Sequence, residues 1–373
     1  MAHIGFFRDA YVGRLKWLSE KRFGELMALT QFLPGPGSSQ LGAAIGYERG
    51  GWMGGLGAWL GFTLPSAIVM ILFAVGMGSF QEWLGDGWLH GLKLAAVAVV
   101  AVALMGMRKG LCPRLPEMLL ALVALLILFF FKQIWVPPVI ILLGGFAGVL
   151  LFGQSVADER EESVISQGGH KRSPWLRCVL PAAAIMILFI FVPSLFPESN
   201  DAKGVSGLLQ SGALVFGGGH VVLPLLESST VDTGLLDGDT FLVGYGAAQV
   251  VPGPLFTFGG FLGAAMNLFG NAWLGGAIGI GALFLPGMVL LAGALPVWDK
   301  LKNFSWARAG VRGANATVVG VLGAALLGML LSGAVSGVVD GFTIVILILA
   351  IYFKWLPVWA IVIISAVVSG WVA

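Results

Sequence analysis

The chain has 373 residues, 58% hydrophobic and only 11% charged, with a net charge of +2 and a mean hydropathy of +0.93. A soluble domain is about 25% charged, and here apolar runs of about 20 residues recur from end to end, the pattern of a polytopic membrane protein. A secreted domain, a cytosolic enzyme and a nucleic-acid binder are excluded at this step. Glycine contributes 56 residues, roughly twice the usual share, which suits close helix packing and broken helices in lipid. Cys112 and Cys178 form no metal or CxxC pattern and read as free thiols. The opening MAHIGFFRDAY has a charge too early for a signal peptide.

In chain order, membrane segments are predicted near 23–47, 52–78, 88–107, 115–131 and 135–153. After the hydrophilic run 154–175 they resume at 176–197, 205–226, 241–269, 271–296, 313–332, 341–353 and 355–372. The chain divides accordingly into an N-terminal half (1–153), a cytoplasmic linker (154–175), and a linking span followed by a C-terminal half (176–373). The halves repeat. Gln31-Phe-Leu-Pro34-Gly35-Pro36 returns 218 residues later as Gln249-Val-Val-Pro252-Gly253-Pro254. Trp52, Gly54, Gly55 and Pro65 meet Trp273, Gly275, Gly276 and Pro286 at a shift of 221. Internal duplication is a recurring design of secondary transporters.

Connector charge suggests that the halves are inverted, because Lys and Arg concentrate on the cytoplasmic side. Residues 8–25 hold Arg8, Arg14, Lys16, Lys21 and Arg22, whereas 225–240 hold no base but Glu227, Asp232, Asp237 and Asp239. The sign reverses between 79–92 (Glu82, Asp86) and 297–310 (Lys300, Lys302, Arg308), and again between Arg108, Lys109, Arg114 and the lone Asp340 of 333–340. If so, 23–47 and 52–78 cannot both cross. The first, split by Pro34-Gly35-Pro36-Gly37 into arms of about 11 residues, each about 16 Å long, reads as a re-entrant hairpin from inside. Segment 241–269 then enters from outside, and a kinked full span is the alternative. The expected fold class is therefore all-α and polytopic, with two inverted homologous halves and broken or re-entrant helices at the PGP motifs.

Non-helical backbone at membrane depth lies within protein or lines a watery cavity, so the paired breaks point to a binding site. The half-helix that follows each break offers free N–H groups and a positive dipole end to an anion. Ser38, Ser39 and Gln40 in the first half and Thr257 in the second add side-chain donors, and Gln31 and Gln249 can turn amides toward the same cavity. A third break, Gly217-Gly218-Gly219-His220, interrupts 205–226. Three glycines there suit an unwound strip, and His220 could donate to an anion or carry a proton. Lys93 and Arg312, one turn into matched segments, either face the cavity or snorkel to lipid headgroups. No HExxH, no Gly-rich phosphate loop with Lys and no Ser/His/Asp spacing is present, so neither an enzyme nor a cofactor is expected.

AHIGFFR at 2–8, QFLPGP at 31–36, FGGGHVVLPLLE at 216–227 and QVVPGP at 249–254 resemble the signatures of the chromate ion transporter family. The order of motifs is similar to that of its long-chain members with two homologous halves. The resemblance implies a multi-pass protein of the bacterial inner membrane that exports chromate and confers chromate resistance, with sulfate as the structural analogue. Its partners are then chromate and membrane lipid, with no nucleic acid, and the oligomeric state is open to a homodimer. Uptake of sulfate or another oxyanion is the alternative. The family usually has an apolar helix ending in FGGP before AHIGFFR, equivalent to 205–219 here. Either translation starts further upstream or the first hairpin lacks an arm.

Overall fold

A computed structural model describes residues 2–84, 87–131, 136–161, 199–215, 219, 222–298, 305–331, 335 and 337–372. The linker beyond 161, the predicted span 176–197 and Gly217, Gly218 and His220 lie outside them. Fourteen α-helices and no strand occupy the described residues. The first half comprises α1 (Ala2–Arg8), α2 (Glu20–Phe32), α3 (Gly37–Leu84), α4 (Gly87–Leu111), α5 (Leu115–Phe130) and α6 (Val136–Glu161). The second comprises α7 (Asn200–Leu214), α8 (Val222–Thr230), α9 (Gly238–Val250), a 3-10 turn (Leu255–Thr257), α10 (Phe258–Ala265), α11 (Ala272–Ala294), α12 (Ser305–Leu331), α13 (Val338–Tyr352) and α14 (Val358–Val372). Five stretches, Gly37–Ser79, Gly87–Leu111, Val136–Gly153, Ala272–Ala294 and Arg308–Leu331, are long and apolar enough to cross a membrane. This is a polytopic all-α membrane protein.

The duplication is visible element by element, with α2 matching α9, α4 matching α12 and α6 matching α14. α3 turns sharply at Gly50-Gly51, where the φ/ψ angles leave the helical region. Its short arm doubles back on the long one, so that Gly46 meets Gly54 and Ala58. The turn between α10 and α11 does the same in the second half, bringing Gly263 against Gly275 and Gly259 against Gly279. Only glycine lets two backbones come this close.

Each PGP motif is the tip of a helical hairpin. Ser19 caps α2 by accepting from the Arg22 N–H, and Asp237 caps α9 through the Thr240 N–H. In the first hairpin, Arg22 at the start of α2 pairs with Glu48 at the end of the returning arm, so the chain folds back rather than continuing as a kinked span. Phe23, Leu26 and Leu29 of α2 bury together with Leu41, Ala44 and Ile45 of the returning arm. In the second hairpin Tyr245 of α9 packs on Phe258, and Gly244 lies against Phe261 of α10. Each arm has about 13 residues or fewer, about 20 Å, too short to cross the roughly 30 Å hydrocarbon layer.

The halves interlock through counterpart helices. Ser365 of α14 donates its hydroxyl to the Gly91 carbonyl of α4 at 2.8 Å, and Gly144 and Gly148 of α6 lie on Thr317 and Gly313 of α12. Matched helices pass each other in opposite directions. On α4 and α12, Cys112 reaches the Ala316 carbonyl at 3.9 Å while Leu104 lies beside Gly323. On α3 and α11, Trp59 packs on Phe284 while Ile71 packs on Gly276. Outward faces such as Leu119, Leu122 and Leu126 of α5 are exposed and apolar, as contact with lipid requires. The membrane segment predicted at 135–153 corresponds to the apolar stretch Val136–Gly153, and the helix α6 continues beyond it to Glu161, because Ser155–Glu161 contains no helix breaker.

Candidate anion site at the hairpin tips

The two tips lie deep in the protein, each against the proline-kinked helix of the other half. Gly35, at φ +121, adopts a backbone conformation that L-residues rarely reach, and a Cβ there would lie 2.9 Å from Gly287 Cα, just past Pro286 of α11. Gly253 abuts Ser66 Oγ, just past Pro65 in the middle of the long arm of α3. The contact is reciprocal, as the repeat predicts.

The third break joins the first two. The Gly35 N–H donates to the Val215 carbonyl at 2.7 Å, directly after α7. Gly219 lies beside Leu255, the residue after Pro254, at 3.4 Å from a Cβ placed on that glycine. Val215 therefore touches the first tip, and Gly219 lies beside the residue that follows the second. The arms that leave the tips begin at Gly37 and Leu255, so their unpaired first N–H groups and positive dipole ends face the tips.

The predicted side chains divide. Ser39 is buried and its hydroxyl has no partner among the described residues; the same holds for the Gln249 side-chain nitrogen. Ser38 is half-buried and Gln31 is exposed. Gln40 is fully buried, but its amide donates to the Pro34 and Gly287 carbonyls, both at 2.9 Å, and thus locks the first tip to α11. The Thr257 hydroxyl is likewise committed to the Pro254 carbonyl at 2.9 Å. Pro34 and Pro36 are buried, Pro254 is buried and Pro252 exposed.

Lys93 and Arg312 are committed to carboxylates. Lys93 pairs with Asp239 at 3.0 Å. Arg312 Nε donates to Glu117 Oε1 at 2.8 Å, and its guanidinium lies 4.6 Å from the Phe152 ring centre. Glu117, in the first turn of α5, is fully buried. Its counterpart across the repeat is the pair His90–Asp340 at 2.9 Å, between α4 and α13. Both pairs tie one half to the other.

Sequence reasoning passed over Ser66, which the structure brings to the second tip, and Thr63, which lies about one turn before it on α3. The signal was available, since Thr63-Leu-Pro65-Ser66 flanks the proline that the repeat matches to Pro286. A separate cavity of about 290 Å³ lies between α3 and α11, lined by Tyr47, Trp52, Trp59, Phe284, Met288 and Leu291. Its walls are too apolar to replace the hydration of a dianion, so it is not the anion site.

The profile of the chromate transporter family matches residues 1–149 and, again, 202–371. The chain is 27% identical to a chromate transport protein of Pseudomonas aeruginosa over 393 aligned positions, covering all of this chain and 87% of that protein. It is 25% identical to a chromate transport protein of Cupriavidus metallidurans, covering 88% and 77% of the two chains. An uncharacterized transporter of Methanocaldococcus jannaschii is 24% identical, with 80% and 72% covered. No solved structure matches the chain.

Proposed function

From the premise that the chain belongs to the chromate transporter family, we propose that it is a secondary transporter exporting chromate from the cytoplasm, across the bacterial inner membrane, and so conferring chromate resistance. The observation that carries the reading is the reciprocal packing of the two tips, Gly35 on Gly287 of α11 and Gly253 on Ser66 in the middle of α3, with Val215 bonded to Gly35 and Gly219 beside Leu255. Helix N-termini and neutral side-chain donors can surround a tetrahedral dianion without trapping it in a salt bridge. Ser39 and Gln249 have donors to spare there.

The halves sit inverted in this reading. Support comes from the opposed directions of α4 and α12 and of α3 and α11, together with the reversed connector charges. One hairpin then opens to each face while both tips meet near the midplane, the arrangement that alternating access around a central site requires. Outward movement of a charge of −2 down an inside-negative potential gains about 4.6 kcal/mol per 100 mV, twice the single-charge value. Potential alone can therefore drive efflux.

Cells preloaded with radiolabelled chromate test the proposal. Cells expressing the protein should lose label faster than control cells. Net uptake of labelled sulfate, with no chromate loss, would replace export by oxyanion import.

A further inference from the structure

The two tips differ chemically, and we infer that the oxyanion binds at the second one, where Thr63 and Ser66 of α3 and Gln249 of α9 provide neutral donors. This rests on the transport reading above and adds two side chains, Thr63 and Ser66, that neither the repeat nor the family motifs single out.

Positions 59, 63 and 66 follow the i, i+4, i+7 spacing of one helix face. Ser66 Oγ abuts Gly253 at one end of this face. At the other end the Trp59 ring meets Phe284 at 5.6 Å, and Phe284 meets Phe256 at 5.7 Å, two residues past Pro254. Thr63 lies between them and is 2% exposed. Thr63 Oγ1 and Trp59 Nε1 are both buried with no hydrogen-bond partner among the described residues, and Gln249 Nε2 in the incoming arm of the same hairpin shares that state. The unpaired Thr63 hydroxyl and Gln249 amide are costly unless something accepts from them.

The first tip has no such face. The positions of α11 that match 59, 63 and 66 are Ile280, Phe284 and Gly287, which offer no side-chain donor. Its one buried amide, Gln40, is already consumed by Pro34 and Gly287, and the residue matching Gln40 in the second half is Phe258. The first tip thus keeps its buried amide to itself, and Ser39 is left as its one buried side-chain donor with no partner among the described residues. At the second tip, the Ser66 hydroxyl now donates to the Thr63 carbonyl at 3.0 Å, and rotation about χ1 redirects it toward a ligand at Gly253. Two hydroxyls and an amide suit a tetrahedral dianion such as chromate or sulfate.

Equilibrium binding of radiolabelled chromate, and separately of sulfate, to the purified full chain in detergent tests this. Ser66→Ala and Thr63→Val should each raise the Kd for the bound oxyanion by about tenfold, since each removes one hydrogen bond to a charged ligand. Thr63→Ser, which keeps the hydroxyl, should stay within about threefold of the wild type. Thr343→Val, an exposed hydroxyl bonded within α13, should leave Kd unchanged. A Kd within twofold of wild type in both Ser66→Ala and Thr63→Val overturns the assignment while leaving oxyanion transport standing. A wild-type chain that binds neither anion overturns the transport reading and this inference together.

Discussion

Arg312 offers a test that separates a structural base from a substrate-attracting one. Its guanidinium holds Glu117, which is fully buried at the contact of α5, α6 and α12. Replacing Arg312 with Gln removes the cation and leaves a carboxylate with no exposed surface. Loss of one partner from a buried pair costs about 3–5 kcal/mol, and a chain of this size should lose roughly 5–10 °C in apparent melting temperature. The double variant Glu117→Gln/Arg312→Gln removes both charges at nearly constant volume, so it should recover most of the loss, because the pair is coupled. Thermal unfolding of the purified variants, followed by tryptophan fluorescence, reads both effects. The reasoning is refuted if Arg312→Gln melts like the wild type, the double variant shows no rescue, and chromate flux instead falls with a dependence on ionic strength. That outcome would mark Arg312 as a group that draws the anion inward, since only long-range attraction is screened by salt.

Three further predictions follow from the same geometry. Gly35→Ala should lower membrane abundance or melting temperature by the equivalent of about 1–3 kcal/mol, because φ +121 is strained for any other residue. Gly24→Ala, in open space on α2, should be neutral or stabilising by up to about 1 kcal/mol. In a background lacking Cys112 and Cys178, an impermeant thiol reagent applied to whole cells should label Thr233→Cys but not Lys21→Cys, and equal labelling would contradict the inverted halves. Native Cys112 should resist maleimide at neutral pH until the protein is denatured, since burial and nearby Glu117 push its thiol up to about 11.

The parts of the molecule legible in the sequence were those marked by backbone chemistry. Pro and Gly at matched positions announced the two tips, because no uninterrupted helix tolerates QxxPGP. The sequence favours a fold-back of the first broken segment over a kinked span, and the contact that decides it joins Arg22 to Glu48 across 26 residues. Side-chain commitments were hidden. Gln40 looked like a free donor but bonds Gly287, 247 residues away. Lys93 and Arg312 looked like unpaired bases because their acids, Asp239 and Glu117, sit at helix starts where sequence reading assigns carboxylates to connectors. Thr63 and Ser66 gave only a weak signal, as hydroxyls inside an apolar helix are common and gain meaning only when a glycine from the other half packs against them.

The central claim is that the paired tips carry an oxyanion outward, and it is tested most directly by chromate uptake into inside-out vesicles. An imposed potential, positive in the lumen, should drive accumulation by the wild type, and collapsing that potential with an ionophore should abolish it. Gly253→Val, which sets a branched side chain against Ser66, should accumulate almost none when uptake is normalised to the amount of protein in the membrane. Absence of potential-driven uptake by the wild type, or near-normal uptake by Gly253→Val, would contradict the account.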